Sequence, residues 1–302
     1  MTWGHGARPF APARARFEIG LAPLGLAEWL EVGADLAEVL AEKERLLSGR
    51  HGEVFAALPG SEPAQAETLA LVREWLAAHA RATHAVAAGG VEVAGRWVPT
   101  DGGDGRAPLD AAGRLVPEDL CVLEAGEGGY RLTAASLCAP AHWRLHEKLG
   151  HPMMGIHAPV PGWSDRLGPR VDRIFDNLRV GAPVQRLNWG LAASPVTFTP
   201  EARRDDDRRM AHLTADDAIE TLWLRVERQT LRRLAHTGAI LFTIRTVMTP
   251  LAEVLAGEDD VRALHEALET LGAEEQRYKA FGRFRDPLMA ALRNRIAAYS
   301  AG

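Results

Sequence analysis

The sequence contains only two cysteines in 302 residues, Cys121 and Cys138. Two thiolates are too few for an all-cysteine iron–sulfur cluster, which needs four. Proteins of oxidising compartments use cysteine mainly in disulfide frameworks. Two lone cysteines therefore favour reduced thiols and a cytoplasmic location.

Long apolar runs and strongly basic stretches are also missing. Apolar runs such as residues 239–244 are far shorter than the roughly 20 residues that a membrane-spanning helix needs. Residues 1–16 have no continuous apolar core of the kind found in a secretory signal. The formal net charge is -5, and no basic segment is present to neutralise phosphates. We therefore expect neither a membrane nor a nucleic acid as a partner.

Several motifs that mark enzyme classes are absent as well. The sequence has no GxGxxG after a strand, no P-loop, no GxSxG elbow and no HExxH. These absences argue against a built-in dinucleotide site and against a zincin-type hydrolase. The glycine-rich segment at 102–105 lacks the Lys-Ser/Thr pair of a phosphate site and is interpreted as a loop.

What is present is an ordinary globular composition, with 47% hydrophobic and 25% charged residues. The length suits a single domain with a helical extension as well as two domains. Residues 26–47 repeat apolar side chains at three- and four-residue spacing, which predicts a helix. Ser61 is placed to cap a second helix, and residues 100–110 are predicted to form a polar loop.

Beyond residue 120, alternating apolar patterns predict strands. The predicted strands are 121–124, 130–138, 184–192, 221–229 and 239–248. Helices are predicted at 142–149, 164–178, 261–271 and 287–298. Hairpins or short helices join the strands, without regular βαβ alternation. The pattern therefore predicts an antiparallel sheet with helices packed against it, an α+β fold.

A histidine cluster in HWRLHEKLGHPMMGIH is the first candidate for chemistry. His142 and His146 are four residues apart, so on a helix they would share a face, where they could bind a metal or simply be solvated. His157 lies between apolar residues in a loop stiffened by two prolines. Such a position suits axial ligation of haem iron, and it also suits a structural histidine that is hydrogen-bonded in the core.

Polar residues in the predicted strands are the second candidate. Arg186 and Asn188 alternate with apolar residues, and Arg225 shares a strand face with Glu227. In most antiparallel sheets such residues face water. Arg245, in the apolar strand AILFTIRTV, is instead expected to face a polar pocket or a buried partner, for which Glu227 is the natural candidate.

These segments resemble one known family. Residues 129–189 (GYRLTAASLCAPAHWRLHEKLGHPMMGIHAPVPGWSDRLGPRVDRIFDNLRVGAPVQRLNW) are similar to the central signature of the haem-dependent oxidative N-demethylases. ERQTLRRL at 227–234 and LFTIRT at 241–246 resemble the same family, as do LAPLGLAEWLEV, EVFAALPGSEPAQAE and YKAFGRFRDPL nearer the two ends. The resemblance runs from about residue 17 to about residue 298, nearly the whole chain.

The resemblance implies one domain over residues 1–302 with a PAS-like antiparallel β-sheet that binds haem b. It places N-terminal helices at 17–85, the PAS-like core at 86–250 and C-terminal helices at 251–302. The implied activity is a monooxygenase reaction with O₂, the oxidative N-demethylation of a small secondary amine such as dimethylamine, which releases formaldehyde. The alternative is a PAS-like haem sensor or carrier without turnover.

Electrons for this reaction are expected from NAD(P)H through a separate flavin/iron–sulfur reductase. O₂ activation at haem consumes two electrons, which a carrier must split from a hydride. The chain has no dinucleotide fingerprint, and two cysteines are too few for a four-cysteine cluster.

Carried over by motif, His157 of IHAPVP is implied as the axial haem ligand. Arg186 of RLNW and Glu227 of ERQTL are implied as active-site residues, and Arg245 is predicted to line the same pocket. Glu227 would pair with the protonated amine, or act as a base if burial raises its pKa. An arginine in the pocket would stabilise negative charge that develops on oxygen.

Trp143, Arg144 and Lys148 precede the ligand loop and are predicted to contact the haem propionates. His146 and His151 stand where the family is expected to have other residue types, so they inherit no role. A third hypothesis, a non-haem metal hydrolase, would use both of them together with His142.

Overall fold

The computed structural model describes residues 9–10, 20–156, 168–201, 210–278 and 281–301. Its α-helices are α1 (Leu36–Gly49), α2 (His51–Val54), α3 (Glu62–His79), α4 (Pro108–Gly113), α5 (Met153–Ile156), α6 (Gly168–Asn177), α7 (Ala218–Thr221), α8 (Leu251–Val254), α9 (Glu258–Thr270), α10 (Ala273–Tyr278) and α11 (Arg285–Ala301). Short 3₁₀ turns lie at Leu26–Glu28, Leu145–Glu147, Met210–His212 and Phe281–Arg283. Within these ranges, no helix combines the length and the apolar character needed to cross a membrane.

The strands form two antiparallel sheets. They are β1 (Ala22–Pro23), β2 (Phe55–Ala57), β3 (His84–Ala87), β4 (Gly90–Val93), β5 (Arg96–Pro99), β6 (Asp119–Gly126), β7 (Gly129–Ser136), β8 (Val184–Ala192), β9 (Trp223–Arg233) and β10 (Ile240–Pro250). The main sheet has the order β1-β8-β9-β10-β6-β7-β2, and β3, β4 and β5 form a small separate sheet. The prediction of an α+β fold with an antiparallel sheet is therefore confirmed.

The register of the main sheet assigns its side chains to two faces. Successive side chains of a strand alternate between faces, so Arg225 and Glu227 of β9 point to one side and Arg228 points to the other. Asn188 of β8 lies directly opposite Glu227 and shares its side. We call the side that carries Glu227 the site face and the opposite side the helix face.

Helices from both ends of the chain cover the helix face. On one half, α1, α3, α4 and the small sheet pack against β6, β7 and β10, in a cluster that includes Trp29, Leu40, Val72, Leu76, Val91, Leu109, Val122 and Leu241. On the other half, α9 and α11 pack against β8 and β9, in a cluster that includes Trp189, Leu224, Val226, Leu264, Leu288 and Leu292. The larger part of the apolar core thus lies on this side of the sheet.

The site face carries a smaller apolar cluster. Its buried members include Cys121, Leu123, Leu132, Leu145, Phe175, Leu231, Ile240 and Ile244, and partly buried Trp143, Met153, Ile156 and Ile174 pack against them. Helix α6 and the segment 143–156 supply the residues that do not come from the sheet. This segment ends, among the described residues, at the residue that precedes His157 in the sequence.

The helix predicted over residues 26–47 is wrong in its first part, because α1 begins only at Leu36. The main-chain oxygens of Glu28 and Trp29 accept hydrogen bonds from the guanidinium of Arg228. The sheet thus satisfies carbonyl groups that a continuous helix would have used internally. A long-range contact decides the start of the helix here, not the local spacing of apolar residues.

The helix predicted over 142–149 is also wrong, because only the 3₁₀ turn at Leu145–Glu147 forms. His142 has a φ of 62°, in the left-handed region, and its N–H donates to the carbonyl oxygen of Thr199. His142 and His146 therefore do not share a helix face. Among the described residues, no group of three or more His, Cys, Asp or Glu side chains is arranged to hold a metal ion.

The small sheet was not predicted, although a signal for it exists. β4 and β5 are joined by Ala94 and Gly95, whose φ values are 50° and 70°. A two-residue turn with two positive φ values is the usual connection of a tight hairpin. Ala94 stands where asparagine or aspartate is more common, so the sequence does not show the usual residue pattern of this turn.

Candidate functional site

Glu227 lies in the middle of β9 on the site face, with 15% of its side-chain surface exposed. Its Oε2 accepts hydrogen bonds from Asn188 Nδ2 at 3.2 Å and from Gln229 Nε2 at 2.9 Å. Its Oε1 accepts one from Arg225 Nε at 3.1 Å. Donors from the described residues thus take three of the roughly four acceptor positions of this carboxylate.

The environment of Glu227 favours its ionised form. Burial by itself raises the pKa of a carboxyl group, but the adjacent Arg225 and the hydrogen bonds from Asn188 and Gln229 lower the pKa of Glu227 below its ordinary value. The carboxylate is therefore charged at neutral pH. The condition set for a base, a pKa raised by burial, is therefore not met in this arrangement, and the geometry favours a fixed negative charge.

Arg225 connects this carboxylate to two loops. Its Nη1 donates to the carbonyl oxygen of Thr197 at 3.1 Å, and its Nη2 donates to that of Ala139 at 2.5 Å. Thr197 lies after β8, and Ala139 begins the segment after β7 that continues to residue 156. Because the guanidinium is a planar fork of donors, these bonds together with the one to Glu227 fix its position.

Arg186 shares the site face with Glu227. On β8 it lies opposite Gln229, while Asn188 lies opposite Glu227. Diagonal neighbours of an antiparallel pair are about 7–8 Å apart, within the reach of a long side chain. The structure thus brings Arg186 and Glu227 to neighbouring strands of one face, and their predicted active-site roles stay predictions.

Arg245 does not join them. It lies opposite Arg228 on the helix face, it forms an ion pair with Asp35, and it donates to the carbonyl oxygen of Thr246 at 3.0 Å. The predicted partnership between Arg245 and Glu227 is therefore wrong. The reason is the register: Thr246 lies opposite Glu227, and the residue before it must point to the other face.

Lys148 lies against the segment that leads to His157. Its Nζ is 4.5 Å from the centre of the Trp143 ring and donates to the carbonyl oxygen of Ile156 at 3.3 Å. Burial lowers the pKa of Lys148. His157 itself, the predicted axial ligand, lies outside the described residues, so its role stays a prediction.

Arg144 is placed differently from Lys148. It forms an ion pair with Glu201, and 43% of its side-chain surface is exposed. The three residues predicted to contact haem propionates thus separate in the structure: Trp143 and Lys148 lie together beside the apolar cluster of the site face, and Arg144 lies at the surface.

Both cysteines are free and buried. Burial raises the pKa of Cys138 to about 12 and raises that of Cys121 still further. Both are therefore neutral thiols at neutral pH.

Three polar residues of the site were not predicted to act in it: Arg225, Asn188 and Gln229. The sequence shows that Arg225 and Glu227 share a face and that Asn188 alternates with apolar residues. It does not show which residues of two strands stand opposite each other. That register makes Asn188 a direct neighbour of Glu227.

The fold and the site together indicate a general class of protein. An α+β protein with an ionised, largely buried carboxylate beside an apolar sheet face is suited to bind a small molecule that is cationic at one point and apolar elsewhere. The chain belongs to the family described as haem-dependent oxidative N-demethylase, alpha subunit-like, whose model matches residues 20–289. The family predicted from the motifs is confirmed.

Proposed function

We propose that this protein is a haem-dependent monooxygenase that removes a methyl group from a small secondary amine such as dimethylamine. One amine, one O₂, two electrons and two protons give the demethylated amine, formaldehyde and water. The proposal rests on the family, which is named for this oxidative reaction. Within the structure, the ionised carboxylate of Glu227 beside an apolar sheet face carries it.

The order of the long strands supports a PAS-like pocket. In chain order these strands are β6 to β10, and across the sheet they follow the order 2-1-5-4-3, which is the order of a PAS-like sheet. A fold does not by itself establish catalysis. The argument for activity therefore depends on the residues of the site face.

The described residues of this face fit a haem in their chemistry. Leu123, Leu231 and Ile244 belong to an apolar cluster whose side chains suit contact with a porphyrin, and the half-buried ammonium of Lys148 would serve as a counter-charge for a propionate. His157 would supply the axial ligand. When bound, the haem supplies the one-electron chemistry that O₂ activation requires.

Glu227 binds the substrate in this proposal. Secondary alkylamines are protonated at neutral pH, so the ammonium group pairs with the ionised carboxylate through a charge-assisted hydrogen bond. This bond orients the amine with its methyl groups towards the apolar surface. Arg186, on the neighbouring strand, would stabilise negative charge that develops on oxygen.

A second protein delivers the electrons. The description "alpha subunit" in the family name is consistent with a system of several components, and both cysteines of this chain are buried thiols. The proposed donor is a flavin/iron–sulfur reductase that takes electrons from NAD(P)H.

The test is formaldehyde release by the haem-loaded protein. With a competent reductase, NADPH, O₂ and dimethylamine, we expect sustained release of one formaldehyde per NADPH oxidised. Without the reductase we expect none. A stable haem spectrum with no formaldehyde from any small amine would make the protein a haem carrier or sensor. Sustained release without the reductase would reveal a cofactor site within this chain.

A further inference from the structure

Arg225 and Arg228 of β9 form a natural pair for comparison. Their side chains are 8% and 9% exposed and point to opposite faces. Arg228 donates to the carbonyl oxygens of Trp29 and Glu28, at 3.1 and 2.5 Å, and its Nε donates to Gln185 and pairs with Glu31 at 3.3 Å. Arg225 also donates to two carbonyl oxygens, and its Nε donates to Glu227, the site carboxylate.

Without Arg225, the donors that remain to Glu227 among the described residues are the neutral amides of Asn188 and Gln229. Burial disfavours the charged form, so the pKa of this carboxyl group should rise when its ionic partner is lost and only neutral donors oppose the effect of burial. The guanidinium is also held by main-chain oxygens on two loops. Both the charge and the orientation of the carboxylate therefore depend on Arg225.

This inference rests on the amine binding proposed above. We propose that Arg225 is a positioning residue that keeps the Glu227 carboxylate charged and fixed, so that the site accepts amines as cations and rejects neutral molecules of the same shape. Arg225 itself need not touch the amine. It acts through the carboxylate.

The other charged groups around this pair are few among the described residues. Arg186 of β8 shares the face. Asp119, at the start of β6, is a second buried carboxyl group near Arg225; burial raises the pKa of Asp119, and the positive charges of Lys43 and Arg225 oppose that rise. From β10, the residues opposite the pair are Thr246 and Met248, which do not titrate.

The sign of the pH dependence follows from Glu227. Amine binding needs the carboxylate, so binding is present above the pKa of Glu227 and is lost as the pH falls through it. Arg225→Gln removes the main influence that lowers this pKa. The acid limb of the binding profile should therefore move up by about one pH unit or more, which means a roughly tenfold weaker affinity on that limb.

The measurement is the dissociation constant of dimethylammonium between about pH 4 and pH 8. It is read from the change that the amine causes in the absorption spectrum of the oxidised haem-loaded protein. Arg225→Lys keeps a positive charge and should leave the acid limb close to that of the unaltered protein. Arg228→Gln is the matched control: it should lower the unfolding temperature without moving the acid limb.

An unmoved acid limb in a folded Arg225→Gln variant would overturn this role. So would an equal shift in Arg225→Gln and Arg228→Gln, because that result would mark a general structural effect. If Arg225→Gln does not fold, carbon NMR of ¹³C-labelled glutamate in the unaltered protein decides. Glu227, assigned with Glu227→Gln, should titrate below the ordinary glutamate value, and titration above it would overturn the role.

The same experiments separate this inference from the proposed function. If the unaltered protein binds no dimethylammonium at any pH, the proposed function fails. If it binds the amine normally and only the Arg225 variants behave differently from expectation, the role of Arg225 fails and the proposed function stands.

Discussion

On the helix face of the main sheet, buried arginines bind groups of the segment that precedes α1, whereas on the site face a buried arginine binds a carboxylate of its own strand. Arg245 pairs with Asp35, and Arg228 donates to main-chain oxygens of the segment that precedes α1. Arg225, on the same strand as Arg228 and equally buried, holds Glu227. The two faces thus use one residue type for different purposes.

The difference lies in what remains after these contacts form. On the helix face, carbonyl oxygens and carboxylates of the protein bind the arginine side chains, and helices cover these contacts. On the site face, the Glu227 carboxylate keeps 15% exposure and borders an apolar surface. Substitutions on the helix face should therefore reduce stability with little effect on function, and substitutions on the site face should do the reverse.

The largest effect is expected for the proposed axial ligand. His157→Ala should abolish or strongly weaken haem retention, because an axial imidazole anchors the iron. His151→Ala should leave the Soret band nearly unchanged. Both are measured by absorption spectra after gel filtration. Haem loss in His151→Ala with retention in His157→Ala would show that the ligand has been assigned to the wrong histidine.

The next largest effect is expected for the site carboxylate. Glu227→Gln keeps the shape but removes the charge that pairs with the amine, so kcat/KM for formaldehyde release should fall by roughly 100-fold, the scale of a lost buried charged partner. The haem spectrum should stay normal. Glu118→Gln is the matched control: Glu118 is 1% exposed and accepts a hydrogen bond from the N–H of Glu31, in the segment before α1. The activity of this variant should stay near native. Near-native release by Glu227→Gln would contradict the proposed role.

A smaller effect, on stability alone, is expected for Asp35→Ala. It leaves the 5% exposed side chain of Arg245 without its ionic partner. The free energy of unfolding should fall by about 2 kcal/mol, less than the 3–5 kcal/mol of a fully buried pair, because Asp35 is itself partly exposed. Urea unfolding measures this loss, and kcat/KM should change by no more than about twofold. If Asp35→Ala loses activity at normal stability, this prediction fails and a role of Arg245 in the active site is supported.

The smallest effect is expected for Arg144→Ala. Arg144 belongs to an exposed ion pair with Glu201, and such pairs contribute about 0–1 kcal/mol. Haem affinity should be unchanged within about twofold, whereas Lys148→Met should weaken it several-fold, because Lys148 is half buried beside the apolar cluster. Competition for haem with apomyoglobin measures both variants. A larger loss in Arg144→Ala would place the propionates at the surface.

The strands of the main sheet were predictable because their period-two pattern is local. Residues 184–192 are predicted and observed as one strand, and β9 and β10 differ from prediction only at their ends. The face of Arg245 was not predictable. It depends on the register between β9 and β10, and a shift of one residue would turn the Arg245 side chain to the other face.

Two local predictions failed for a related reason. The helix over 26–47 begins late because main-chain oxygens before Leu36 bind Arg228, nearly two hundred residues away in the sequence. The helix over 142–149 does not form because His142 bonds to Thr199. In both places a contact from a distant part of the chain outweighs a weak local propensity.

By itself, the sequence determined the family, the α+β class and the long strands, and it predicted Glu227 and Arg186 for one site. These follow from motifs and from the alternation of polar and apolar residues, both of which are local features of the sequence. Only the tertiary structure decided that Arg225 and not Arg245 partners Glu227, and that the surroundings of Glu227 lower its pKa. Both depend on strand register and burial, because a pKa is set by the groups that surround a side chain in space.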